Sequence, residues 1–420
     1  MTIKMINKTV KKRNNFIWNT LGSGLYSFTS LIYLIVVTRI NGLEDAGIFT
    51  FAFSFACMMQ VIGLYAGRTY QATEQNSRIK DCDYIYFKVT CCVAMIIISL
   101  IFTLIRSYDN YKICVIMLLV VYKCLDSFAE AIYGVFQFNN KLFQSGISLT
   151  LKSSLCSISF TLVDYISNNI VLSIWSVIGV DLIILCVYDI RKLHSYKIKW
   201  HKPNKKIIKF LLINGFFVFA FYFLNQYVVN AQRYLIDDCI TSGMLKNSDQ
   251  TIFGIILMPA TFMALMTQFI FSPYTYDIKI TLKSKNIKKF NQIIFKISTW
   301  LVLIGIIVVA ISFFIGIPIL NLLYNIDLNE YLWPLIIILF GSIFYAEYSV
   351  LAHALISIRK NSALIISLVL GSLISFVVSY WLINNYNLYG SFFAYTISMF
   401  AILIIYAICY AVTTSRIRAK

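Results

Sequence analysis

The sequence is poor in charge, acid, proline and histidine. Only 13% of its 420 residues are charged, against about 25% in a soluble domain. That shortage excludes an ordinary soluble enzyme and a disordered chain. Histidine occurs three times (His194, His201, His353) and no C-x-x-C is present, so no spacing points to a metal site or any other cofactor. There is no G-x-x-x-x-G-K-[ST], no H-E-x-x-H and no G-x-S-x-G. ATP therefore has no binding loop in this chain, and an enzymatic role has no motif to rest on. Of ten cysteines, eight (Cys57, Cys91, Cys92, Cys114, Cys124, Cys156, Cys186, Cys409) lie in apolar runs and read as small packing residues rather than disulfide or redox partners.

What the chain has is hydrophobicity: 59% apolar residues and a mean hydropathy of +0.77. A membrane span needs about 20 apolar residues, so this length holds about twelve spans with little left for a soluble domain. The first run follows Lys4, Lys8, Lys11, Lys12 and Arg13 and is too long for a signal-peptide core. Further runs begin near residues 46, 85, 113, 146, 170, 208, 251, 293, 332, 362 and 388. Polar breaks such as Asn41-Gly42, Asn139-Asn140, Asn168-Asn169 and Asn384-Asn385 separate them. The expectation is an all-α integral membrane protein of about twelve transmembrane helices.

The net charge of +18 does not mark a nucleic-acid binder, because the bases fall in short tracts between apolar runs. Anionic lipid at the inner membrane surface explains that placement better. Placed alternately, the loops put 29 of the 36 Lys and Arg on one side, including Lys88 in the segment after span two. This bias predicts both termini in the cytoplasm. The basic segment 191–207 divides the chain into two six-helix lobes, 1–190 and 208–420, of like orientation, as a parallel repeat requires.

Charges within a span are costly and face a partner or a water-filled cavity. In span four, Lys123, Asp126, Glu130, Gly134, Gln137 and Lys141 share about 80° of helix face. They form either an internal salt-bridge set or a cavity wall that responds to protons. Span one carries Asn15, Asn19, Gly22, Tyr26, Thr29 and Tyr33 on one face, and span two carries Gln60, Gly63, Gly67, Gln71 and Glu74. Such stripes serve tight helix packing or a polar cavity for sugars. Asn225 in span seven, with Lys152, Asp181 and Glu347 elsewhere, completes the polar groups at membrane depth.

Several segments together resemble the polysaccharide flippases of the multidrug/oligosaccharidyl-lipid/polysaccharide exporter superfamily, the O-antigen or capsule repeat-unit transporters. They are Thr38-Arg39-Ile40-Asn41-Gly42-Leu43-Glu44-Asp45-Ala46-Gly47, Gly67-Arg68-Thr69-Tyr70-Gln71-Ala72-Thr73-Glu74, and the span-four run Tyr122-Lys123 to Gln137. Ala231-Gln232-Arg233-Tyr234 with Met258-Pro259, and Gly316-Ile317-Pro318, continue the likeness. The resemblance implies two six-helix lobes around a central cavity open alternately to each side of the bacterial plasma membrane. It also implies passage of undecaprenyl-pyrophosphate-linked oligosaccharide from the cytoplasmic to the outer face, with polysaccharide polymerase machinery as a downstream partner and membrane lipid around it.

A cavity of that kind needs cations for the diphosphate. The candidates are Arg39, Arg68, Lys123, Lys152 and Arg233. Asp126, Glu130, Gln137, Asp181 and Glu347 are candidates for ion coupling or an interior polar network. Asn15, Asn19, Tyr26, Tyr33, Gln60, Gln71 and Asn225 are candidates for the polar lining. A multidrug exporter of the same superfamily is the alternative, disfavoured because span one lacks a carboxylate. A membrane polymerase is disfavoured by the short outer loops.

Overall fold

The computed structural model describes residues 2–65, 79–198, 200–284, 286–358 and 361–418. Among them, twelve long helices follow one another. They are α1 (Thr2–Ile40), α2 (Gly42–Leu64), α3 (Asp81–Ile105), α4 (Asn110–Phe138) and α5 (Leu142–Ser167). Next is α6, Ile170–Ile184, which runs through a π-helical stretch, Leu185–Ile190, into Arg191–His194. Then come α7 (Lys205–Thr241), α8 (Asn247–Lys283), α9 (Ile287–Tyr324) and α10 (Leu332–Ser357). The segment Asn361–Arg418 is two helices, α11 and α12, separated at Asn387, whose φ of 52° leaves the helical region.

Three of the asparagine breaks work as the sequence pattern suggests, through the backbone; at the fourth, Asn384 and Asn385 are still helical and the interruption falls at Asn387. Asn168 closes α5 in the left-handed conformation at φ 47°, which Asn tolerates better than other non-glycine residues. Its neighbour Asn169 opens α6 by accepting the N–H of Leu172 at 3.2 Å. Asp109 caps α4 through the N–H of Lys112 at 3.0 Å, and Asn286 caps α9 through that of Lys289 at 2.9 Å. Gly42 takes φ +87° at the tight α1–α2 junction, where a side chain would be strained.

Among the described residues, ten stretches are long and apolar enough to cross a membrane, one of them spanning both α11 and α12. Helix α4 is not among the ten, and it carries Lys112, Lys123, Asp126 and Glu130. Exposed faces are strongly apolar, as along Ile97, Ile101 and Ile105 of α3. The buried set holds many hydroxyls and several charges, including Lys123, Asp126, Lys152, Asp181 and Asp189. This inverted arrangement suits lipid as the solvent. The chain is a multi-pass membrane protein.

The chain forms two compact units, Met1–Phe219 and Ala220–Lys420, with the boundary inside α7. In the first unit α1 packs closely along α5. A Cβ on Gly22 would lie 2.4 Å from the carbonyl oxygen of Gly146, and one on Gly146 would lie 2.3 Å from the backbone of Trp18. Backbone therefore meets backbone, the use of small residues that membrane helices favour. In the second unit Phe290, Ile294, Ile297 and Leu301 of α9 pack with Ile343, Ala346 and Val350 of α10.

Lys88, assigned above to a loop at the membrane surface, lies instead within α3. It is buried, and its ammonium donates to the carbonyl of Leu64 at the end of α2. The charged residues Lys80, Asp81 and Asp83 mark the helix start, and Lys88 sits two turns inside it.

Candidate functional site

Among the described residues, the first unit contains two buried ion centres. The first is built on α4. Lys123 and Asp126 are one helical turn apart, and their side chains meet at 3.3 Å. The third member comes from α1, where the Tyr26 hydroxyl donates to Asp126 Oδ2 at 2.7 Å and accepts from Lys123 Nζ at 2.9 Å. The ammonium also lies 4.7–5.0 Å from the ring centroids of Tyr122, Tyr26 and Phe53. A lysine among three aromatic faces is held by their quadrupoles as well as by its carboxylate. Lys123 and Asp126 are 2% and 6% exposed, so the pair is largely desolvated.

The second centre joins three elements of chain that the sequence reading left unconnected. Lys152 of α5 meets Asp181 of α6 at 2.6 Å and Asp189 at 3.7 Å. Both aspartates are fully buried. Tyr133 of α4 and Ser148 of α5, hydrogen-bonded at 2.7 Å, adjoin Asp189. Two carboxylates sharing one ammonium leave a formal charge of −1 at the centre.

The π-helical stretch explains how both aspartates face one lysine. Eight residues of regular α-helix advance about 80° past two full turns. A π turn absorbs about one extra residue, or roughly 100° of that rotation. Asp189 thus returns to within about 20° of Asp181's face. From sequence, Asp181 and Lys152 stand as separate groups, and Asp189, which borders the basic run starting at Arg191, carries no signal. Only the change of helical register, invisible in the pattern, brings it inside.

The remaining candidates separate by role. Asn15 of α1 accepts the N–H of Phe143 at 2.9 Å and donates to the carbonyl of Asn140 at 3.2 Å. It therefore caps α5 from another helix. Tyr33 is packed within an aromatic cluster, its ring 4.6 Å from Phe160 and 6.5 Å from Phe49. Asn19, Gln60 and Gln137 are half-buried on α1, α2 and α4. Glu130, half-buried one turn beyond Asp126, interacts with Lys88. Arg39 is exposed at the C-terminal end of α1. Arg68 and Gln71 lie outside the described residues.

The second unit holds a polar and aromatic group on α7, α10 and α12. Arg233 Nη1 donates to Asn230 Oδ1 at 3.0 Å, one turn earlier. Asn225 accepts from Tyr348 at 3.1 Å. Tyr345 and Tyr348 meet edge-on at 5.2 Å, and Tyr348 stacks with Tyr406 at 5.6 Å. Tyr395 is seated against Gly341, where a Cβ would lie 2.9 Å from its ring. Glu347 of α10 is half-buried beside Ser298 of α9. His353 stays exposed, its ring 4.9 Å from Phe271.

No family model matches the chain. A capsular polysaccharide biosynthesis protein, CapF, of Staphylococcus aureus is 25% identical over 401 residues, covering 93% of this chain and 97% of its own. Among solved structures, a lipid II flippase, MurJ, in an inward closed conformation matches with a TM-score of 0.71 at 15% identity, over 94% of this chain and 87% of that one. An inward-facing multidrug resistance MATE family transporter of the MOP superfamily matches with a TM-score of 0.68 at 12% identity, over 97% and 99%.

Proposed function

From the premise that this chain has the fold of the MOP-superfamily transporters, we propose that it is a flippase for lipid-linked oligosaccharide repeat units of a surface polysaccharide. The observation that carries this reading is the end-to-end likeness to a capsular polysaccharide biosynthesis protein. On this reading the substrate is an undecaprenyl-pyrophosphate-linked oligosaccharide, and a polymerase takes the delivered repeat unit. Two six-helix lobes rock to open alternately to each face, with both termini in the cytoplasm.

The physical task fits the buried groups. A diphosphate and sugars cannot cross about 30 Å of hydrocarbon unaided. Lys123 is the cation best placed to serve, because Tyr26 bridges it to Asp126 and its charge is already balanced when no substrate is bound. An arriving diphosphate replaces Asp126 as the anion beside the ammonium, which the ring faces of Tyr26, Phe53 and Tyr122 hold in position. Arg233, with Asn230, Asn225 and the tyrosines of α10, supplies the corresponding groups in the second unit. Ion coupling is assigned to the Lys152–Asp181–Asp189 centre, whose formal charge of −1 leaves room for one proton. Glu130 and Glu347 are further coupling candidates.

The test is deletion of the gene followed by mass spectrometry of the cell lipids. Accumulation of a lipid-linked oligosaccharide with loss of surface polysaccharide is expected. Normal polysaccharide together with increased sensitivity to cationic drugs would overturn the reading in favour of multidrug export.

A further inference from the structure

Cys82 and Asp83 stand in the first turn of α3, and His201 stands 118 residues beyond Asp83 on the segment that precedes α7. The structure brings one ligating atom of each within 4.8 Å of the others. Cys82 and Asp83 are buried, and the His201 side chain is 33% exposed, which gives an ion a route in. Neither ion centre described above uses these residues.

The surrounding hydrogen bonds orient all three toward a common point. His201 Nδ1 lies 2.9 Å from the carbonyl oxygen of Lys202. That oxygen can only accept, so Nδ1 carries the proton and Nε2 is the ring atom turned toward the cluster. Nε2 faces Asp83 Oδ1 at 3.6 Å. The other carboxylate oxygen, Oδ2, accepts the N–H of Lys80 at 2.9 Å. A histidine that donates one ring nitrogen to a backbone carbonyl, and a carboxylate fixed by its second oxygen, are the outer contacts that metal ligands show. Two acceptor atoms pointing at one another also require a cation between them, whether a proton or a metal. Trp200 packs edge-on against Tyr86 at 5.9 Å, so the segment carrying His201 is held to α3 by a contact that does not depend on any ion.

We propose that Cys82 Sγ, Asp83 Oδ1 and His201 Nε2 form a three-ligand site for Zn²⁺ or another borderline divalent transition metal. Zinc bonds of about 2.3 Å to sulfur and about 2.0–2.2 Å to nitrogen and oxygen put tetrahedral ligands about 3.4–3.6 Å apart. The Nε2–Oδ1 separation already meets this, and the thiol needs to close by at most about 1.4 Å. A thiolate and a carboxylate balance the charge of a divalent ion, and binding releases the thiol proton. The fourth position is left to water. The bound ion staples the segment before α7 to the start of α3.

The test uses the purified full-length protein in detergent, stripped with a chelator and titrated with Co²⁺. One equivalent should give a near-ultraviolet thiolate-to-cobalt band and visible d–d bands, both abolished by Zn²⁺. Cys82→Ser should remove the near-ultraviolet band. His201→Ala, at a partly exposed side chain, should weaken Co²⁺ binding by about 10-fold or more, the least expected for losing a direct ligand. Cys186→Ser, at an exposed cysteine elsewhere, should change neither. A parent without the charge-transfer band, or a band that survives Cys82→Ser, would overturn the site. Equal Co²⁺ affinity in the parent and in His201→Ala would reduce the cluster to an imidazolium–carboxylate pair. Size-exclusion profiles that match the parent certify each variant as folded, and His201→Ala decides the matter alone if Cys82→Ser does not.

Discussion

Replacing Lys152 with methionine keeps most of the length of the side chain and removes its charge. At an effective dielectric of about 20, the ammonium's attraction is about 6 kcal/mol to Asp181 at 2.6 Å and about 4.5 kcal/mol to Asp189 at 3.7 Å. Desolvation of the lysine offsets much of this. What remains is the cost of leaving two fully buried carboxylates with no cation, which for broken buried pairs is about 3–5 kcal/mol. Lys152→Met should therefore lose folded protein sharply in a detergent thermal-stability assay read by size exclusion. Adding Asp181→Asn and Asp189→Asn removes the stranded charges, and the triple variant should recover most of the stability. The triple variant then separates structure from transport. If it is stable and loses the proton-gradient dependence of flipping in liposomes, the centre couples transport to protons. If it flips substrate as the parent does, the centre is structural only. A Lys152→Met protein as stable as the parent, or a triple variant no better than the single one, would refute the reasoning about the buried charges.

Three further outcomes are expected. Exchanging Lys123 and Asp126 should restore the folded yield lost in each single reversal but not the flipping, because the cation then sits a turn along α4 from the place where it meets the rings of Phe53 and Tyr122; restored flipping would make the pair a structural contact. Gly22→Ala should impair folding, since its Cβ meets the Gly146 carbonyl at 2.4 Å, whereas Gly24→Ala, with nothing within 4 Å, should match the parent in yield and melting; equal losses would remove the close α1–α5 crossing. Single cysteines in the 191–209 and 279–296 segments should resist a membrane-impermeant thiol reagent in intact cells, and those at Asn168, Lys246 or Asp327 should react; the reverse pattern would overturn a cytoplasmic location for both termini.

The sequence alone determined that the chain is helical and crosses a membrane about twelve times, because lipid demands apolar runs of fixed length and internally satisfied backbone. It also located several helix junctions, because asparagine and glycine adopt the left-handed conformations that end a helix, as at Asn168 and Gly42, though the α11–α12 break falls at Asn387 rather than at Asn384-Asn385. It placed Lys123 and Asp126 on one face, since three residues make nearly one turn. Tertiary structure decided their third partner, Tyr26, which lies 100 residues from Asp126 in sequence. It also gave the members of the span-one stripe different work: Asn15 caps α5, Gly22 admits its backbone, and Tyr26 alone joins an ion centre. Helical periodicity reports which residues share a face, but not what that face meets. Asp189 marks the sharper limit. A π turn changes the angular step between residues without a signature in composition. The pairing of Asp189 with Lys152, and the meeting of His201 with Cys82 and Asp83, depend on contacts between segments far apart along the chain, and helix packing sets those contacts.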